Sequence, residues 1–477
     1  MVPHLSRVLA KEVGASGRCE APSLAPGEGS FHSGNPNAKT PSAQPSPASG
    51  GGSAPSPELA PNDIAAREPF PFAGCVGPTI RYGGGNRELC ESSPALTPEL
   101  HQKLTQWRRH LHAHPELSLQ ERNTAAFVQD KLTELGIPFE AGIGGHGIVA
   151  TLTRGHAQRR VGLRADMDAL PITEDTGLPY ASETSGVMHA CGHDGHTASL
   201  LGAAALLAAD TSWSGAVDFI FQPAEEGFGG SRAMVAAGLF DRFPMERIFG
   251  FHNWPGLAAG TVAVHDGVVM ASGGRITITI EGHAGHAGMP HLTRDPVVAA
   301  GHLIVALQSI VSRGVDPLDT AVLSLCTIEG GTAPNQIAGR VTIRGTLRYH
   351  REEVKDAILD GIERSCAGIA TSFGVKVTPE IVWGVGVVIN TPAEAELARI
   401  AAEKVQAPVR RDLAPSMAGE DFAHYLQQRP GAFVWIGNGP LRDGAELHGP
   451  RYDFNDAILP VASGWMAEVA KAALASN

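Results

Sequence analysis

From residue 97 onward, apolar positions recur at spacings that mark one element after another. Thr97-Pro98-Glu99 reads as N-cap, N1 proline and first-turn acid. Leu100, Leu104, Trp107 and Leu111 follow at helical intervals. A second helix is predicted over residues 123–135, closed by Gly136-Ile137-Pro138. Short β-like runs at 148–152 and 161–165 precede an Ala/Leu-rich helix after His196. A strand at 216–221, a helix at 231–239 and a strand at 247–251 come next. Strands alternating with helices predict a mainly parallel sheet covered on both faces.

The rhythm changes after Gly273-Gly274. Residues 275–280 alternate as a strand, 295–311 read as a helix, and 322–327 and 340–347 as two strands. Residues 352–373 are helical and 375–382 form a last strand. This β-α-β-β-α-β order is the ferredoxin-like unit. A helix at 393–405 and a strand at 432–436 resume the first pattern. The expected class is therefore α/β, with a small α+β domain (275–384) inserted between two parts (96–274 and 385–477) of a larger one.

Residues 1–95 are different. They hold 14 of the 34 prolines, with Ser, Gly and Ala runs. That leaves little apolar surface to offset chain entropy, so a disordered extension is expected there. The whole chain is 43% hydrophobic and 18% charged, as in a soluble protein with a sizeable core. A net charge of −12 argues against nucleic acid or an anionic membrane as partner. No run of about 18 apolar residues predicts a membrane span, and the N-terminus lacks the apolar stretch of a secretory signal. The six cysteines show no close pairing, which fits a reducing compartment and a cytoplasmic location.

Twenty histidines invite a search for metal. Cys191-Gly192-His193-Asp194-Gly195-His196 places a thiol and an imidazole two residues apart, good donors for zinc-like ions. A buried cysteine and a helix-capping histidine would look the same locally. Gln222-Pro223-Ala224-Glu225-Glu226 follows a strand, where ligands gather in parallel sheets. Adjacent carboxylates repel unless a cation or proton is near, although a solvated acidic loop also fits. Asp166-Met167-Asp168, Phe251-His252-Asn253-Trp254-Pro255 and Leu447-His448-Gly449-Pro450 are further candidates. Each is weak alone. Their accumulation at strand ends of one domain carries the argument.

Together these segments resemble the M20 family of metallopeptidases, in the branch of hippurate hydrolases, N-acyl-amino-acid amidohydrolases and auxin-conjugate hydrolases. The similarity also includes Trp107-Arg108-Arg109-His110-Leu111-His112, Gly285-His286-Ala287, Ala418-Gly419-Glu420-Asp421-Phe422 and Tyr452-Asp453-Phe454-Asn455-Asp456, in order over about 97–475. The resemblance implies two divalent metal ions per chain, Mn or Zn with Co or Ni as alternatives. Cys191, His193, Glu226, His252 and His448 would be ligands, with Cys191 bridging. Glu225 would be the general base, Asp168 a support for a ligand or base, and His286 a group for the substrate's oxyanion or carboxylate. Asn335 is a weaker candidate for the same cleft. His283 lies so close to His286 that either could act, and Gly449 replaces a usual Ser or Asn. A homodimer through the inserted lid domain is implied too. The expected activity is hydrolysis of the amide in small N-acyl amino acids such as N-benzoyl-glycine. Dipeptide hydrolysis, a silent ligand-binding relative and a thiol protein centred on Cys191 are the alternatives. The last lacks a second nearby Cys.

Overall fold

The computed structural model describes residues 96–476 apart from Ala157, Phe228 and Arg442; the extension expected over 1–95 lies outside the described residues. In chain order the first elements are α1 (Pro98–Ala113), α2 (Arg122–Glu134), β1 (Phe139–Ile143), β2 (Gly147–Arg154), β3 (Arg160–Asp166), α3 (His193–Ala209), β4 (Gly215–Gln222), α4 (Gly230–Ala236), α5 (Leu239–Arg242), β5 (Arg247–Pro255), β6 (Val262–Ala263) and β7 (Val268–Met270). Next come β8 (Ser272–Glu281), β9 (Gly285–His286), α6 (Pro296–Ser309), β10 (Ala321–Gly330), β11 (Gln336–Ile337), β12 (Arg340–Tyr349), α7 (Glu352–Phe373) and β13 (Lys376–Trp383). The chain ends with β14 (Val388–Ile389), α8 (Pro392–Lys404), β15 (Val409–Arg410), α9 (Ala423–Leu426), β16 (Gly431–Gly439) and α10 (Leu459–Ala475).

Eight strands form the main sheet in the order β1-β2-β4-β3-β5-β16-β6-β15. Its centre, β4-β3-β5-β16, is parallel, and β1 and β2 add antiparallel strands at one edge. Side chains alternate between two apolar layers. Phe219 and Phe221 face α1, α3, α8 and α10, whereas Ile220 faces α4 and α5. Helices after adjacent strands thus lie on opposite faces, which opens a crevice beyond the C-terminal strand ends.

Residues 272–383 form their own sheet, β10-β12-β8-β13, wholly antiparallel, with α6 and α7 packed on it. A separate core of Ile276, Ile278, Leu303, Ile343 and Ile358 supports it.

The helix read at 231–239 is two. Gly238 adopts φ +84 and splits α4 from α5. The helix after His196 starts at His193, because Gly192 at φ +93 turns the chain directly into it. The segment 296–314 and the segment 456–475 are each long and apolar enough to cross a membrane by composition. Here both lie against sheets: the second is mostly buried in the core, whereas the first buries Ala299, Leu303 and Leu307 and leaves Val297, Val298 and Val305 exposed.

Candidate metal centre

Four loops meet at the C-terminal ends of the parallel strands. Cys191 precedes α3, Glu225 and Glu226 follow β4, His252 lies near the end of β5, and His448 follows β16. The backbone joins two of them directly, since the His448 N–H donates to the Ala190 carbonyl at 2.8 Å. His448 itself adopts φ +64. A Cβ at Gly449 would stand 2.7 Å from the Gly444 carbonyl oxygen, which explains the glycine after this histidine.

The donor atoms of Cys191, His193 and His252 lie within 4.8 Å of one another, and so do those of Cys191, Glu226 and His448. The two triads share one sulfur. Cys191 Sγ is 3.3 Å from His252 Nε2, and His448 Nε2 is 3.2 Å from Glu226 Oε1. The far nitrogens of two histidines are fixed: His193 Nδ1 donates to the Asp168 carbonyl at 2.9 Å and His252 Nδ1 to the Asn253 carbonyl at 2.7 Å. Each therefore offers Nε2, the arrangement metal-bound histidines use. His193 Nε2 and Glu226 Oε1 are buried without a hydrogen-bond partner among the described residues. Burial, then the charges of Glu226 and Glu225, hold the Cys191 thiol well above its ordinary value. A thiolate there needs a cation beside it. The donor set thus fits a pair of divalent ions.

Two further clusters, around His196 and around Asp421, are spent on internal hydrogen bonds. His196 gives Nδ1 to Asp166 at 2.6 Å and accepts the Asn253 N–H at Nε2. Asp421 accepts from Gln222, Arg164 and the Ser231 N–H.

Asp168 touches both triads. Its Oδ2 accepts from the Ser118 hydroxyl at 2.6 Å and the Glu226 N–H at 3.0 Å, and its Oδ1 lies 3.3 Å from His193 Nδ1. Burial opposes its charge, but these bonds overcome that and lower its pKa. Glu225 accepts the Asp421 N–H at 3.2 Å. Burial, then the charges of Glu420 and Glu226, raise its pKa well above the usual carboxylate range. Beneath it the buried Arg164 guanidinium meets Asp166 at 2.8 Å, and Glu420 and Asp421 at 3.1 Å.

Sequence reasoning assigned no role to Glu121, which is fully buried. It accepts from the Ala224 N–H at 2.8 Å and holds that residue at φ +54, the turn that presents Glu225 and Glu226. Burial raises its pKa to about 7. No local pattern marks Glu121 in the sequence, because the amide it holds lies 103 positions away.

The centre forms one end of a cavity of about 760 Å³, within the range of small-molecule sites. Trp254 and Met270 line one side. Arg275, Arg348 and Trp383, from the second sheet, line the other. Neither arginine has an acidic partner among the described residues. His286 stands elsewhere. It is exposed on the β9–β11 ribbon, opposite Gln336, with His283 and Asn335 also exposed nearby, and none of the three is among the residues lining the cavity.

The model of peptidase family M20/M25/M40 matches residues 162–472. The chain belongs to this family. An N-acetyl-L-cysteine deacetylase of Bacillus subtilis is 41% identical over 388 residues, 81% of this chain and 92% of that protein. A hippurate hydrolase of Campylobacter jejuni is 39% identical over 367 residues, 76% of this chain and 94% of that one. A solved dinuclear metal-binding peptidase of the M20 family from Bacillus subtilis is similar with a TM-score of 0.70 and 36% identity, covering 78% of this chain and 98% of the other. This M20 chain is accordingly a metal-dependent amidohydrolase with a mainly parallel central sheet.

Proposed function

We propose that the chain hydrolyses the amide bond of small N-acyl amino acids, with Cys191, His193, Glu226, His252 and His448 holding two divalent ions. The observation that carries this reading is the pair of donor triads sharing the Cys191 sulfur beside Glu225, in a cavity that Arg275 and Arg348 also line. The softness of the sulfur favours zinc over harder ions of the magnesium type, and the carboxylate and imidazole donors also admit manganese. Bound there, such ions supply Lewis acidity and a water acidic enough to ionise near neutral pH.

The chain's own groups do the rest. Glu225 takes the water's proton and returns it to the leaving amine, so one carboxylate serves as base and then acid. Asp168 keeps His193 in the tautomer that presents Nε2. Arg348 and Arg275 meet the free carboxylate of the amino acid, and Trp254, Met270 and Trp383 receive its apolar parts. His286 reaches an oxyanion only if the β9–β11 ribbon is brought to a cleft.

A second copy is the proposed partner. β10 is an edge strand paired on one side only, and Val297, Val298 and Val305 of α6 and Ile328 of β10 are exposed. Together they suit a two-fold contact.

The test strips the protein of metal, reloads it with Mn²⁺, Zn²⁺, Co²⁺ or Ni²⁺, and follows amine release from a panel of N-acetyl, N-benzoyl and longer N-acyl amino acids and dipeptides. Metal-restored release from one acyl class is expected. Release from dipeptides alone, or from nothing with two ions bound, overturns the reading.

A further inference from the structure

Asn253 is fully buried, and all four of its hydrogen-bonding groups are engaged. Its N–H donates to His196 Nε2 at 3.1 Å. Its carbonyl accepts from His252 Nδ1 at 2.7 Å. The side-chain Nδ2 donates to the Cys191 carbonyl at 2.7 Å, and Oδ1 accepts from the Tyr452 hydroxyl. One residue thereby touches the loop of Cys191, the ring of His252, the helix that begins at His193 and the segment that follows His448. The surroundings are shaped around this amide. A Cβ at Gly192 would stand 2.4 Å from Asn253 Nδ2 and 2.5 Å from the Tyr452 hydroxyl, so only glycine lets the Cys191 loop approach it.

We propose that Asn253 is the positioning residue that sets the Cys191 sulfur against His252 Nε2, with Tyr452 orienting its amide. The pieces it connects are far apart in sequence, and each carries or adjoins a ligand. Loss of the amide frees the Cys191 carbonyl and loosens the loop, while every donor residue of the centre is retained. The role rests on the ligand assignment of Cys191 and His252 given above, and its test separates the two.

Parent, Asn253→Ala, Tyr452→Phe and Cys191→Ser are loaded with cobalt(II). Cobalt affinity and the thiolate-to-cobalt absorption are measured together with kcat and KM. For Asn253→Ala a loss of about 10–100-fold in cobalt affinity is expected, as for other residues that orient metal ligands. The absorption weakens, and kcat falls while KM changes little. Tyr452→Phe moves the same quantities less, and adds less than its single effect on top of Asn253→Ala because the two act on one amide. A purely structural role would lower the melting temperature and leave the absorption of the folded, loaded protein unchanged. Affinity and absorption of Asn253→Ala within about twofold of the parent overturn the inference, if Cys191→Ser has lost the absorption. If Cys191→Ser keeps it, the ligand assignment fails first and the inference with it. Should Asn253→Ala not fold, Tyr452→Phe decides: lower affinity with weakened absorption supports the role, and unchanged values overturn it.

Discussion

Glu225 is held where a carboxylate resists ionising, buried beside the charges of Glu420, Glu226 and Asp421. That environment suits a group asked to gain a proton and give it back. Replacing it by glutamine keeps its size and its acceptor for the Asp421 N–H but ends proton transfer. For Glu225→Gln turnover is expected to fall about 10²–10⁴-fold, with metal content and KM near the parent's; turnover within tenfold of the parent would count against the role. At this scale the sequence was partly readable. Cys191, His193, Glu226 and His252 stood out because chelating chemistry was compressed into short segments at strand ends. Glu121, Asn253 and Tyr452 did not, since an Asn or Glu bonding to a backbone amide 62 or 103 positions away leaves no local mark. His286 was legible as a motif, yet the fold of one chain leaves it exposed.

Among elements, α1 does more than cover the sheet. It carries Arg108 and His112 into a set of charges with Asp194 at the start of α3, Glu174 in the loop between β3 and α3, and Asp453 before α10. Burial by itself would depress the His112 pKa, but its bonds to Asp194 at 2.8 Å and Glu174 at 3.4 Å raise it to about 9. The sign follows from linkage. The folded value lies above the ordinary 6.5, so the extra stability is fully present below about pH 6.5 and is lost as pH rises through about 9. Its size is on the order of 3 kcal/mol. The melting temperature of metal-free parent should exceed that of His112→Gln by more at pH 6 than at pH 10. An equal gap at both values would show that His112 is neutral when folded. Periodicity revealed most elements, because strand and helix cores follow 2.0 and 3.6 residue repeats. It failed where backbone conformation decided, at Gly192 and Gly238, whose left-handed φ values set helix limits that no apolar pattern encodes.

Among the described residues the two large sheets have separate cores, and the change in element rhythm between their segments was readable in sequence. Strand order was not, because β1 is short and mostly exposed and β6 and β15 are two residues each. Assembly belongs to this scale as well. Sedimentation of the parent should give twice the chain mass at micromolar concentration, and Val305→Lys on the exposed face of α6 should shift it toward one copy. A parent that stays single at every concentration would dismiss the two-fold contact.

The cavity has two owners. The proposed ligands and Glu225 come from the parallel sheet and its loops, whereas Arg275, Arg348 and Trp383 come from β8, β12 and β13. Mutations on those three strands can change which molecule is held without disturbing the groups that cut it. Selection can therefore explore new substrates on one sheet while the other stays under constant constraint, and a lineage built this way diversifies its diet far faster than its chemistry.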